Sequence, residues 1–243
     1  MDAISLATLA VALSTLLSLA ALKTGCLTKD GAAASLLVGS FTGIFGSLEA
    51  FILMTIFTVT GFAATWNGLS DKKKRGLQEG KKGERTWKNV AGVGIPPCAI
   101  VLINAIWPME PTLFFVAFIS TMTVAGADTI ASEIGIRDRE VFLITNFKKV
   151  SPGTNGGISL LGTAVSTAAS LAIAVLGWLI MAHTLDWVLI IPFVAGVFGN
   201  FMDSVLGATL EDRGIISKYA NNCVTALMGA AFGAGACIAA GYA

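Results

Sequence analysis

The sequence predicts an all-α fold: a polytopic transmembrane helical bundle of about eight spans (seven to eight), joined by short loops. Three observations carry this: a charge-poor composition, a succession of apolar runs, and basic residues gathered on one side of the membrane. Hydrophobic residues make up 55% of the 243 and charged residues only 13%, where a soluble domain carries about 25%. Mean hydropathy is +0.78, and several apolar runs approach the ~20 residues that cross a bilayer. We read residues 1–243 as one integral membrane domain. Its 27 glycines fit helices that approach closely through small residues in lipid.

Cutting the chain at charged and Gly/Pro clusters gives candidate spans at 4–22, 31–46, 49–66, 89–107, 111–133, 157–182, 187–210 and 219–241. The first lacks a basic leader and a small-residue cleavage site, so it reads as a retained helix. The second is short for a crossing. The fourth holds Pro96 and Pro97, which remove backbone donors and favour a kink. Trp66, Trp87, Trp107, Trp178 and Trp187 fall near span ends, as aromatic belts do.

Placing segments 23–30, 67–88, 134–156 and 211–218 on one side collects all 16 Lys and Arg residues there. The other side keeps Asp2, Glu49, Glu110, His183 and Asp186. By the positive-inside rule the basic side is cytoplasmic, with both termini opposite. The longest basic loop, 67–88, reads as a solvated topogenic segment near anionic headgroups, or as a flap or surface helix able to close over a site.

The net charge of +1 argues against nucleic acid as a partner. Cys26, Cys98, Cys223 and Cys237 are scattered and His183 is the single histidine, which argues against zinc.

Ionisable residues inside spans are costly and point to function. Asp128 lies 18 residues after Glu110, and Asp203 17 after Asp186. Both should therefore sit ~26 Å below the outer boundary, at matching depths. Thr121, Ala125, Asp128, Ser132 and Gly135 share one helix face; Gly196, Asn200, Asp203, Gly207 and Glu211 share another. Both faces are small and polar, so they should turn inward, towards each other. Glu133 lies roughly 140° off the Asp128 stripe and joins only if its helix ends near Gly135.

Before the sixth span runs Lys148-Lys149-Val150-Ser151-Pro152-Gly153-Thr154-Asn155-Gly156-Gly157. A glycine-rich turn with inward amides at a helix start suits a phosphate, and the lysines would add charge. Carboxylates suit Mg²⁺, which prefers oxygen ligands and would neutralise polyphosphate oxygens during transfer. Neither the P-loop pattern nor a kinase D-F-G is present.

Ala127-Asp128-Thr129-Ile130-Ala131-Ser132-Glu133-Ile134-Gly135, Pro152 to Ser159, and Asp203-Ser204-Val205-Leu206-Gly207-Ala208-Thr209 resemble the three signature segments of the phytyl-phosphate kinase family. These polytopic membrane proteins include an uncharacterised animal transmembrane protein and are more distantly similar to polyprenol kinases and CDP-diacylglycerol synthases. The resemblance implies a Mg²⁺-dependent phosphoryl transfer from a nucleoside triphosphate, CTP by the family pattern, to an isoprenyl monophosphate such as phytyl or geranylgeranyl phosphate. It also implies that Asp128, Glu133 and Asp203 are catalytic, metal-binding carboxylates. Lys148, Lys149, Gly153, Thr154, Asn155 and Gly156 would bind phosphates, supported by Ser132, Asn200 and Ser204. Two departures leave the donor base open: Ala91-Gly92-Val93-Gly94 stands where an Ala-Asn-Gly is expected, and Thr225 where an asparagine is. The alternatives are a cytidylyltransferase making a CDP-lipid, using the same metal and nucleotide, and an ion or small-solute transporter. Transport sites usually lie at the midplane between repeated halves; here the acids lie towards one face and no repeat is visible. The oligomeric state is open, a homodimer being compatible.

Overall fold

The computed structural model describes residues 3–76 and 83–242. Eight α-helices dominate them: α1 (Ala3–Lys23), α2 (Lys29–Phe45), α3 (Leu48–Arg75), α4 (Trp87–Ile106), α5 (Pro111–Ile134), α6 (Leu160–Ala182), α7 (Ile190–Leu206) and α8 (Lys218–Ala239). Seven are long and apolar enough to cross a membrane. The exception is α2, whose 17 residues reach only ~25 Å. Apolar side chains such as Leu37, Ile95 and Ile106 face outward, as a lipid-embedded bundle requires.

The helix starts follow local capping chemistry. The Ser47, Ser159 and Ser217 side chains accept the amides of Ala50, Gly162 and Ala220 at 3.2, 3.0 and 3.2 Å, satisfying donors that a first turn leaves unpaired. Glu110 caps α5 by accepting the Leu113 amide at 3.1 Å, with Pro111 in the first helical position. At the other end of α3, Gly76 takes φ +69 and stops the helix. α4 runs unbroken through Pro96 and Pro97.

α5 is the central helix. Its most apolar stretch is 78% buried, against 39% or less in the other spans. The cause is its small, hydroxyl-rich surface, which neighbours meet with glycines. A Cβ on Gly196 of α7 would lie 2.7 Å from Thr123, and one on Gly177 of α6 3.0 Å from Ile119. Close backbone approach of this kind is how helices associate in lipid. Phe114, Phe118, Met122 and Trp178 complete the core. Trp178 is thus no belt residue: it is 3% exposed and packs edge-on to Phe115.

Two features depart from the predicted loops. α3 continues through 67–75, so the first part of the basic loop is helix; residues 77–82 lie outside the described residues. The far end of that loop is tied to the α1–α2 turn, where the Arg85 amide donates to the Cys26 carbonyl (2.9 Å) and the Thr28 amide to the Arg85 carbonyl (3.1 Å). After α5 and a 3-10 turn (Gly135–Arg137), the chain forms a small antiparallel sheet of β1 (Val141–Leu143), β2 (Lys149–Val150) and β3 (Gly157–Ile158), in the order β2-β1-β3.

Candidate active site

The last turns of α5 and α7 and the first turn of α8 converge at the basic end of the bundle. Asp128 and Asp203 line one cavity there. α8 supports both: Asn222 Nδ2 donates to Asp128 Oδ2 at 3.5 Å, and Thr225 Oγ1 to Asp203 Oδ1 at 3.5 Å. Asn221 Nδ2 donates to the Asp203 carbonyl at 3.1 Å and to Glu211 Oε2 at 3.3 Å. The residue that departs from the family asparagine, Thr225, is therefore a direct partner of an acid. α7 ends in a π turn, Gly207–Glu211, closed by the Asp212 amide donating to the Gly207 carbonyl at 3.0 Å. Widened turns of this kind concentrate at functional sites.

The glycine-rich turn joins β2 to β3 and faces these acids. Gly153 and Gly156 take φ +89 and +73, open to glycine without steric cost. The Thr154 hydroxyl donates to the Ser151 carbonyl at 2.7 Å, and the Gly157 amide to the Thr154 carbonyl at 2.9 Å. Gly156 rests on α7 so closely that a Cβ there would lie 2.6 Å from the Ser204 carbonyl oxygen and 2.7 Å from the Ala208 nitrogen. Turn and helices enclose a cavity of about 260 Å³. Gly153, Thr154, Asn155 and Gly156 line it from the turn, Asp128 and Ser132 from α5, and Asn200, Asp203 and Ser204 from α7.

Three expected residues stand elsewhere. Glu133 is 4% exposed and turns towards α3. Its Oε2 is 2.9 Å from Lys72 Nζ, its Oε1 is 3.7 Å from Arg85 Nη2, and Oε1 also accepts the Thr65 hydroxyl at 3.1 Å. The reason is angular: α5 stays α-helical through Ile134, so Glu133 keeps the heading that separates it from Asp128. Lys148 and Lys149 are exposed on the hairpin outside the cavity. Lys149 Nζ meets Glu140 Oε1 at 3.2 Å with both side chains largely exposed.

The cavity's cations are instead Lys72 of α3 and Lys218 of α8, joined by Asn222. Sequence reasoning passed over both lysines. Lys72 sits in a charge run that masks a helix, though Lys218 and Asn222 do fall four residues apart on one face.

The two aspartates, with hydroxyl and amide oxygens around them, form a hard oxygen donor set. Mg²⁺ is usually held by one or two carboxylates, waters and substrate phosphates, so the residues fit it. Among the described residues no group of three His, Cys, Asp or Glu converges as a complete metal cage, and Glu133 is engaged by Lys72, Arg85 and Thr65. Outside the spans, Asp138 fastens the hairpin to α6. Its carboxylate accepts the amides of Glu140 (3.1 Å) and Leu161 (3.2 Å), which hold its carboxyl below the usual aspartate range.

Comparison with known proteins agrees with the resemblance read from the three segments. The family model described as Integral membrane protein DUF92 matches residues 12–236. An uncharacterized membrane protein of Methanocaldococcus jannaschii is 29% identical over 212 residues, 87% of this chain and 86% of that protein. Protein VTE6, chloroplastic, of Arabidopsis thaliana is 30% identical over 212 residues, 85% of this chain and 63% of that longer protein. An uncharacterized membrane protein of Synechocystis is 29% identical over 191 residues, 77% of this chain and 73% of that protein. No solved structure matches the chain.

Proposed function

From its place in the Integral membrane protein DUF92 family, to which the chain belongs, we propose that it is a membrane phosphotransferase of isoprenoid metabolism. It moves the γ-phosphoryl group of a nucleoside triphosphate, CTP by the family resemblance, to an isoprenyl monophosphate such as phytyl or geranylgeranyl phosphate. A phosphate oxygen of the lipid attacks the γ-phosphorus, the bond to the β-bridging oxygen breaks, and the products are the isoprenyl diphosphate and the nucleoside diphosphate. The attacking oxygen is already anionic near neutral pH, so no strong base is required. Catalysis of this kind is mostly positioning and charge stabilisation.

One observation carries the reading: Asp128 and Asp203 face a glycine-rich turn across a polar cavity at the basic end of a membrane bundle. Asp128 and Asp203 would hold Mg²⁺, whose charge offsets that of the triphosphate when bound. The turn at Gly153–Gly156 orients the phosphates with its amides, Ser132 and Ser204 border them, and Lys72 and Lys218 supply the positive charge first expected of Lys148 and Lys149. By the positive-inside rule this end faces the cytoplasm, where nucleotides are found.

The test incubates purified protein with Mg²⁺, labelled CTP or ATP, and phytyl or geranylgeranyl monophosphate. Isoprenyl diphosphate plus nucleoside diphosphate is the expected outcome, and Asp128→Asn and Asp203→Asn should each abolish it while the protein remains folded. CDP-lipid plus pyrophosphate would instead establish a cytidylyltransferase. No product with any donor and lipid would leave transport as the better reading.

A further inference from the structure

A second cavity, of about 340 Å³, lies among α1 to α5, and nothing from the glycine turn, α6, α7 or α8 lines it. Along α3 it extends from Trp66 at the basic end to Phe51, a length of ~22 Å at the rise of an α-helix. Its walls are mostly apolar side chains such as Leu17, Val38, Met54, Phe57 and Met122.

The chamber leads towards the active site. Arg85, Asn89, Val93 and Thr129 line both the chamber and a small cleft beside Glu133. Lys72, Asp128, Ser132, Lys218 and Asn222 then line both that cleft and the phosphate cavity. Apolar chamber, cationic cleft and polar cavity thus adjoin in series, with Asp128 at the last boundary.

The chamber is loosely closed between α1 and α3. α1 packs on α2 but barely touches α3. Leu17, Val59 and Trp66, at that gap, are 38%, 55% and 55% exposed. In the cleft, where Asp128 and Lys218 offset each other's charge on the far side, the buried carboxylate of Glu133 faces two cations: Lys72 at 2.9 Å and Arg85 at 3.7 Å, the latter also donating to Thr65 at 2.9 Å. This trio carries net positive charge beside an apolar space, which matches an amphiphile with a long hydrocarbon tail and an anionic head.

We propose that the α1–α5 chamber receives the isoprenyl tail, slipping in sideways between α1 and α3, and that Lys72 and Arg85, positioned by Glu133, receive the lipid phosphate. This rests on the phosphotransfer reading and assigns the two substrates to opposite sides of Asp128: the lipid through the cleft, the nucleotide against the glycine turn. Thr58 lines the chamber ~12 Å from the level of Trp66 along α3. A bulky residue there closes the deeper part and makes Thr58 a determinant of tail length.

The test has two arms. In the first, wild-type protein is photolysed, without nucleotide, with geranylgeranyl monophosphate carrying a diazirine at the tail end, and adducts are mapped by mass spectrometry. Adducts at Phe51–Phe62 of α3 and on the facing sides of α1 and α2 are expected, competed at least ten-fold better by unlabelled geranylgeranyl monophosphate than by geranylgeraniol. Adducts confined to α6–α8, or equal competition by the alcohol, would overturn the assignment. In the second arm, Thr58→Trp should raise KM for geranylgeranyl monophosphate at least ten-fold more than it raises KM for dimethylallyl monophosphate. Equal effects on both substrates, or none on either, would count against the chamber. The two readings fail separately. Chamber adducts without diphosphate from any donor keep the lipid site and remove phosphotransfer, whereas diphosphate formation with adducts elsewhere does the reverse.

Discussion

Gly156→Ala is the perturbation whose cost can be worked most directly from the structure. The residue has φ +73, and a Cβ would sit 2.6 Å from the Ser204 carbonyl oxygen and 2.7 Å from the Ala208 nitrogen. Both are backbone atoms of the α7 end and cannot swing aside, so the turn itself must lift. The left-handed backbone alone costs an alanine about 1–2 kcal/mol, and overpacking adds about 1–3 kcal/mol. Gly214 separates the two contributions, since it has φ +69 with nothing among the described residues within 4 Å of its Cβ position. Gly214→Ala should therefore cost only the backbone share. At about 2–4 °C per kcal/mol for a chain of this size, melting in a mild detergent should place Gly156→Ala at least about 2 °C below Gly214→Ala. Displacing Thr154 and Asn155 by about 1 Å can also cost on the order of 10²-fold in turnover, which the diphosphate assay reads, while Gly214→Ala should stay close to wild type. Equal melting temperatures for the two variants would show that the turn is not seated on α7 and would refute the reasoning.

Three further expectations test the corrected site. Glu133→Ala leaves Lys72 and Arg85 facing each other in a largely buried cleft. It should destabilise the protein by about 3–5 kcal/mol without changing the Mg²⁺ concentration for half-maximal activity; a large rise in that concentration would return Glu133 to the metal. Lys149→Ala removes only an exposed pair with Glu140, so melting should move by less than about 1 kcal/mol with turnover unchanged, whereas Lys72→Ala should depress turnover; the reverse ranking would restore the hairpin lysines to the phosphate site. Asp138 has a depressed carboxyl pKa. Its contribution is therefore complete above the ordinary aspartate value near 3.8 and lost as pH falls through the lower folded value. Protection against hydrogen exchange at the start of α6, relative to the intrinsic rate at each pH, should fall below that point in wild type and show no such step in Asp138→Asn.

The parts of the site legible in the sequence were those fixed by helical geometry. Asp128 and Asp203 could be placed at one depth by counting from Glu110 and Asp186, and they line one cavity. Their small polar stripes turn inward because neither would be stable against lipid. The rest depends on contacts distant in sequence. Lys72 reaches the cavity because α3 runs on into what its lysines disguise as a solvated loop. Lys148 and Lys149 are next to the glycine turn in sequence, but the hairpin directs them away from it, and its strands of two and three residues are too short for a periodic signal. Glu133 shows angle prevailing over motif, since its place beside Asp128 in a shared signature says nothing about which way its side chain leaves the helix.

The π turn at Gly207–Glu211 has a consequence for how such a site can be tuned. Eight steps of a regular α-helix carry Glu211 about 80° past the direction of Asp203. A turn closed over five residues instead of four rotates each step less, returning the carboxylate to the side where Asn221 bridges it to Asp203. Winding the same residues as regular α-helix would swing Glu211 off the cavity while leaving Asp203 in place, whereas losing one residue would leave it seven steps on and only about 20° from Asp203's direction. The reach of the acidic patch towards a bound nucleotide is therefore set by the winding of one turn as well as by side-chain identity.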